Sequence, residues 1–218
     1  QGYSSAASDV YKRQELYKLR EISPVVFETQ YMQNPIPTEG LMYHEFRTYQ
    51  NIELPSGSKA NQRWCYVDTA DTGSDYLCAI CFINTPEMLY VIDVLYTQLP
   101  MEKTEVRLAK MLTENSITEC LIESNNGGRQ FARNVKRITR ATLHNFKTAI
   151  NTFTQTKNKA ARIFSNSALV NSDVAFPENW DKKWREFYNA ITTYRKDNKR
   201  RAAHDDACLL YTSDAADE

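Results

Sequence analysis

The sequence predicts an α/β domain: a mixed five-stranded sheet, its first three strands antiparallel, flanked by helices on both faces. Two observations carry this reading. Three apolar, β-branched or aromatic runs, at 63–69, 76–83 and 88–96, follow one another across short polar turns, the pattern of an antiparallel meander. Two further strand-sized runs, 119–123 and 149–154, are each followed by a basic segment suited to a helix, so parallel and antiparallel pairs must share one sheet with helices packed against it.

Each element has its own signal. After Pro100, the residues Val106, Leu108, Ala109, Met111 and Leu112 recur on a helical period, predicting an amphipathic helix over 101–114. The run 119–123 ends in Ser124-Asn125-Asn126-Gly127-Gly128, a turn that opens a helix over 129–137. Its glycines permit close approach of another backbone, read here as a DNA strand. A basic helix is expected over 157–169, and Val174-Ala-Phe-Pro177 as a short edge strand or extended segment. Trp184, Phe187, Tyr188, Ile191 and Tyr194 line one side of a final helix over 181–195.

The first 14 residues are a Ser/Ala-rich lead without apolar periodicity, and 208–218 end in Ser-Asp-Ala-Ala-Asp-Glu; both are expected to be non-native or disordered. Residues 15–60 read as a linker, with Phe27, Tyr31 and Met32 spaced for a short helix before Pro35 and Pro37 break it. The domain proper is expected over 61–207. With 42% hydrophobic residues the chain can build a core, and no apolar run approaches the roughly 18 residues of a membrane span, so a soluble domain is expected. The pair Cys78-x-x-Cys81 lies inside an apolar run, and His44, His144 and His204 are scattered, so the five cysteines read as free thiols of a reducing compartment rather than zinc ligands.

The 27 Lys and Arg balance the 27 Asp and Glu, yet the charges are unevenly placed. From Arg129 to Arg162 there are nine basic residues, including Arg129, Lys157, Lys159 and Arg162, and no acid. A second cluster, Arg195, Lys196, Lys199, Arg200 and Arg201, precedes His204-Asp205-Asp206. Such stretches suit a phosphate backbone as well as they suit a solvated face.

Three acidic positions stand out beside them. Asp68 is planted in the apolar first strand, which buries no carboxylate without a partner. Glu123 closes the fourth strand next to a helix start, where ligands gather. Asp205 and Asp206 follow the second basic cluster at an expected helix start. Hydrolysis of a phosphodiester needs an activated water and charge stabilisation on the leaving oxygen, which two divalent cations held by hard oxygen ligands supply. Acids distant in sequence, at strand ends and on a late helix, match that need.

Five segments together resemble successive motifs of phage terminase large subunits, in their ribonuclease H-like nuclease part. These are Phe27-Glu-Thr-Gln-Tyr31-Met-Gln-Asn-Pro35, Val67-Asp68-Thr-Ala-Asp71-Thr-Gly-Ser-Asp75-Tyr76, Ile122-Glu123-Ser-Asn125-Asn126-Gly127-Gly128, Thr156-Lys157-Asn158-Lys159-Ala-Ala-Arg162-Ile163 and His204-Asp205-Asp206-Ala207. The resemblance implies a ribonuclease H-like fold and a metal-dependent endonuclease using Mg²⁺ or Mn²⁺ in a two-metal site. The metals would be bound by Asp68, Glu123 and one or both of Asp205 and Asp206, with Asp75 as an auxiliary ligand and Asp71 a weaker candidate. Lys157, Asn158 and Lys159 would face the DNA backbone, joined by Arg129 and Arg162 of the same basic stretch. It further implies cutting of concatemeric double-stranded viral DNA during genome packaging, in the cytoplasm of an infected bacterial host and away from membranes. An ATPase domain, a portal ring and a small terminase subunit would be its partners.

Two departures from the family pattern bear on this. The chain holds no Gly-x-x-x-x-Gly-Lys-Ser/Thr phosphate loop, and after Ala207 it runs into Cys-Leu-Leu-Tyr-Thr-Ser instead of an apolar-faced helix. Two alternatives therefore stay open at this point. One is another nuclease of the same fold, such as a junction resolvase, a transposase or a ribonuclease H. The other is a DNA- or portal-docking fragment whose site no longer holds metal.

Overall fold

In the computed structural model, residues 40–43, 46–52, 62–69, 76–125, 127–156 and 159–195 are described. Three strands open the central sheet: β2 (Arg63–Asp68), β3 (Leu77–Asn84) and β4 (Leu89–Thr97), paired antiparallel in sequence as the apolar runs predict. They are preceded by β1 (Arg47–Tyr49). Helix α1 (Met101–Glu114) leads to β5 (Glu119–Glu123), helix α2 (Gly128–Ala141) to β6 (Ala149–Phe153), and helix α3 (Lys159–Asp173) directly into β7 (Val174–Pro177). Two short helices, α4 (Trp180–Lys183) and α5 (Arg185–Thr192), close the described chain. The strand order is β1-β7-β4-β3-β2-β5-β6.

Because side chains alternate across a strand, the sheet carries two cores. On one face Cys65, Val67, Leu77, Ala79 and Ile122 meet Leu108, Leu112, Phe131 and Val135 of α1 and α2. On the other, Tyr66, Cys78, Ile80, Val91 and Phe176 meet Ile163 and Val170 of α3 and the aromatic cluster of Trp180, Trp184 and Phe187. Each large side chain so buried contributes about 1.5–3 kcal/mol before the entropy of ordering it is subtracted. No helix of the described residues is long and apolar enough to cross a membrane.

The sheet is wider than the five strands read from the sequence, and among the described residues the count is corrected to seven. β7 is not at an edge: it lies between β1 and β4, parallel to both. Val174, Ala175 and Phe176 are all buried, as an interior strand requires, and Pro177, which lacks an N–H, stands at its end. The edge is instead β1, within the segment read as a linker. Its three residues, Arg47, Thr48 and Tyr49, carry no apolar run, so nothing in their pattern announces a strand. Tyr49 fastens it by donating its hydroxyl to the carbonyl of Val91 at 2.7 Å, and burial pushes that phenol up to about 12.

The expected final helix over 181–195 is also interrupted. Trp184 takes φ −128° and ψ 57°, outside the helical region, so that α4 ends and α5 begins around a buried indole. The chain then returns to the start of the described residues through a bridge between Leu41 and Arg195.

Cys78 and Cys81 separate onto the two faces of β3, one in each core, and so form no chelating pair. Cys65 instead lies in register with Cys81 on β3 and Cys120 on β5. Burial raises the pKa of all three thiols, which keeps them protonated and unreactive within the folded core. The short helix expected around 27–32 lies outside the described residues.

Candidate active site

Asp68 is the last residue of β2 and Glu123 the last of β5, and these strands are parallel neighbours. The pair Val67↔Ile122 sets the register, so one step further the two acids stand side by side, their backbones separated by about the 4.8 Å spacing of adjacent strands. Parity puts both on the face of Tyr66 and Leu121, the face covered by α3. Asp68 is 9% exposed and Glu123 7%. Two carboxylates this close and this dry repel each other unless cations lie between or beside them.

One cation comes from α3. Lys159, at the first position of that helix, donates from Nζ to Oδ2 of Asp68 at 3.1 Å. Arg162, nearly one turn later, is buried at 6% exposure, and its Nε and Nη1 have no hydrogen-bond partner among the described residues. Its guanidinium lies beneath the surface, on the same side of the sheet as the two acids.

Glu123 is held by the turn that follows it. Asn125 donates from Nδ2 to Oε1 of Glu123 at 2.7 Å and to the carbonyl of Gln155 at 3.1 Å, linking the acid to the segment after β6. Ser124 reinforces the link, its N–H bonding the carbonyl of Phe153 at 2.8 Å and its hydroxyl lying 3.0 Å from that of Thr154. The other carboxylate oxygen, Oε2, is buried with no partner among the described residues. An anionic oxygen kept dry without a donor is costly, and it calls for a cation or a water-bearing cation.

The turn closes through Gly127, at φ +93°, and Gly128. A Cβ added to Gly128 would fall 1.9 Å from the carbonyl oxygen of Glu123 and 3.2 Å from Oγ1 of Thr69. The close approach expected of a DNA strand at these glycines is therefore corrected at Gly128: what approaches is the chain's own backbone at Glu123, because α2 must start hard against the end of β5.

The fold thus brings together Asp68, Glu123 and Lys159 from widely separated positions, with Arg162 buried nearby. Arg129 lies exposed in the first turn of α2, on the opposite face of the sheet. Asp71, Asp75, Lys157, Asn158, Asp205 and Asp206 lie outside the described residues. Among the described residues no three His, Cys, Asp or Glu side chains converge as a metal cluster, so Asp68 and Glu123 stand as a pair. Asn125 is the functional side chain that sequence reasoning left unassigned. Its signal was its place two residues after an acid at a strand end, inside a glycine turn.

The donor chemistry fits hard divalent cations: two oxygen-bearing side chains on rigid strand ends, one of them with an oxygen that has no donor among the described residues.

The model of the family described as terminase of bacteriophage T7, ribonuclease H-like domain, matches residues 67–171, a span that includes Asp68, Glu123, Asn125, Lys159 and Arg162. This segment belongs to the terminase ribonuclease H-like family. The match covers 105 of the 218 residues of the chain. Its fold is similar to several solved structures. The human cytomegalovirus terminase nuclease domain shares 13% identity at a TM-score of 0.44, covering 65% of this chain and 77% of that one. The nuclease domain of the large terminase subunit of bacterial virus Sf6 shares 12% at 0.43, covering 63% and 73%. The large terminase nuclease domain of bacteriophage SPP1, solved with bound Mn, shares 13% at 0.42, covering 67% and 79%. No curated protein sequence matches the chain.

Proposed function

We propose that this terminase domain is a metal-dependent endonuclease that cuts concatemeric double-stranded DNA, using two divalent cations, Mg²⁺ or Mn²⁺. The observation that carries the reading is the side-by-side pair Asp68 and Glu123, with one buried oxygen of Glu123 left without a donor among the described residues. Cations bound there supply an activated water and charge stabilisation for the leaving 3′ oxygen.

The chain's own residues have distinct tasks in this reading. Asp68 and Glu123 bind the cations from rigid strand ends. Asn125 fixes the orientation of the Glu123 carboxylate so that Oε2 is the oxygen presented. Lys159 balances Asp68 and stands ready to meet phosphate oxygens as cations take over that balance. One or both of Asp205 and Asp206, with Asp75 as an auxiliary, complete the ligand set, and Lys157 and Asn158, with Arg129, hold the DNA; the expectation that Arg162 also touches it is corrected, because its guanidinium is buried. Residues 61–207 form the nuclease unit, joined through 15–60 to a packaging ATPase domain, and the assembly works with a portal ring and a small terminase subunit in an infected bacterial cell.

The experiment is a supercoiled-plasmid assay with Mn²⁺ or Mg²⁺, with EDTA as control, on the full chain and on Asp68→Asn and Glu123→Gln. The expected result is metal-dependent nicking and linearisation, reduced about a thousandfold or more in each variant, or about 4 kcal/mol of barrier. A folded wild-type chain that does not cut, or variants that cut as well as it does, would reject the reading.

A further inference from the structure

Helix α2 carries Arg129, Arg133, Lys136, Arg137 and Arg140, spaced i, i+4, i+7, i+8 and i+11. At 100° per residue these positions fall within one stripe, opposite Phe131, Val135 and Thr139, which face the core. Four of the five are exposed and Lys136 is half-buried. None has a carboxylate within 4 Å among the described residues. Arg133 bonds only the neutral amide of Gln130, at 2.8 Å.

Such a helix works against its own stability. Arg129 and Arg133, Arg133 and Arg137, and Lys136 and Arg140 are like charges four apart, each pair repulsive. The first turn holds no acid to match the helix dipole, and Arg129 places a cation there. A polyanion running along the stripe relieves all of these at once, beyond what Arg140 already gains at the helix C-terminus. The stripe spans about 16 Å of helix axis, the axial length of about five successive phosphates on one strand of duplex DNA. It begins six residues after Glu123, where Gly128 presses the helix against the end of β5.

Building on the nuclease reading, we propose that the outward stripe of α2 seats the sugar-phosphate backbone of the duplex on the sheet face opposite the carboxylates, along a track that starts where α2 meets the end of β5. The stripe touches phosphates alone and carries no base readout.

The test is fluorescence anisotropy of the full chain on a labelled DNA duplex in EDTA, across a salt series of about 50 to 200 mM. In the triple variant Arg133→Gln, Arg137→Gln, Arg140→Gln, the slope of log K against log salt should flatten by about 2.7, or about 0.9 for each phosphate no longer neutralised. Lys182→Gln, on α4 across the sheet, removes a charge from the other face and should leave the slope unchanged. A triple variant with the wild-type slope overturns the proposal, including in favour of an acidic protein as the occupant. Should the triple variant not fold, Arg137→Gln alone is read, with an expected flattening of about 0.9. Plasmid cutting run alongside separates the two readings. A wild type that cuts, with an unaltered slope in the variant, removes the stripe and keeps the nuclease. A wild type that binds through the stripe without cutting in Mn²⁺ removes the nuclease and keeps the stripe.

Discussion

Helix α2 turns Arg129, Arg133, Arg137 and Arg140 to solvent, whereas helix α3 turns Lys159 toward Asp68 and buries Arg162. Both helices belong to the same acid-free stretch, and both begin just beyond the carboxyl end of a strand, on opposite faces of the sheet. Equal charge in the sequence thus acquires two meanings. On α3 Lys159 answers a carboxylate of the chain itself, where loss of either partner is expensive, and Arg162 is kept from solvent with no carboxylate within 4 Å among the described residues. On α2 the cations answer nothing within the described chain and remain available to an external polyanion.

The largest expected effect breaks the anchor that sets where α2 begins. Gly128→Ala forces a methyl into the carbonyl of Glu123, so the variant should lose about 3 kcal/mol in denaturant unfolding, with cutting reduced as Glu123 shifts. Unaltered stability would show that the start of α2 is not held against β5.

A smaller effect sharpens the contrast between inward and outward cations. Lys159→Met leaves Asp68 without its ammonium; with both side chains partly exposed, the loss in EDTA should be about 1–2 kcal/mol. Mn²⁺ should restore more stability to this variant than to wild type. Lys136→Met on α2 should change stability by no more than about 0.5 kcal/mol. Equal losses in both, followed by thermal melts with and without Mn²⁺, would erase the distinction.

The smallest effect concerns Asn125. Asn125→Ala frees Oε1 of Glu123 while leaving the ligand itself in place, and Mn²⁺ affinity measured calorimetrically should fall about tenfold. Unchanged affinity together with unchanged cutting would mean that the amide serves only the turn.

The strands that build the site were legible because their apolar runs are long and the acids interrupt them at the ends. β2 and β5 read plainly as strands, and Asp68 and Glu123 stood out because carboxylates are foreign to such runs. Lys159 was legible as basic, though not its partner: the separation of 91 positions from Asp68 is closed by the crossing of α3 over the sheet, which no local pattern encodes. β1 was hidden because an edge strand of three polar or amphipathic residues needs no apolar signature, its hydrogen bonds coming from β7.

By itself the sequence determined the alternation of strand and helix and the apolar cores, and it singled out the two acids that the fold sets side by side, since burial and periodicity act through neighbouring residues. Only the tertiary structure decided that β7 lies inside the sheet, that Gly128 yields to Glu123, that Asn125 orients that acid, and that α2 and α3 aim their cations in opposite directions. Each of these depends on which distant surfaces meet, and that follows from packing two helical layers onto one sheet.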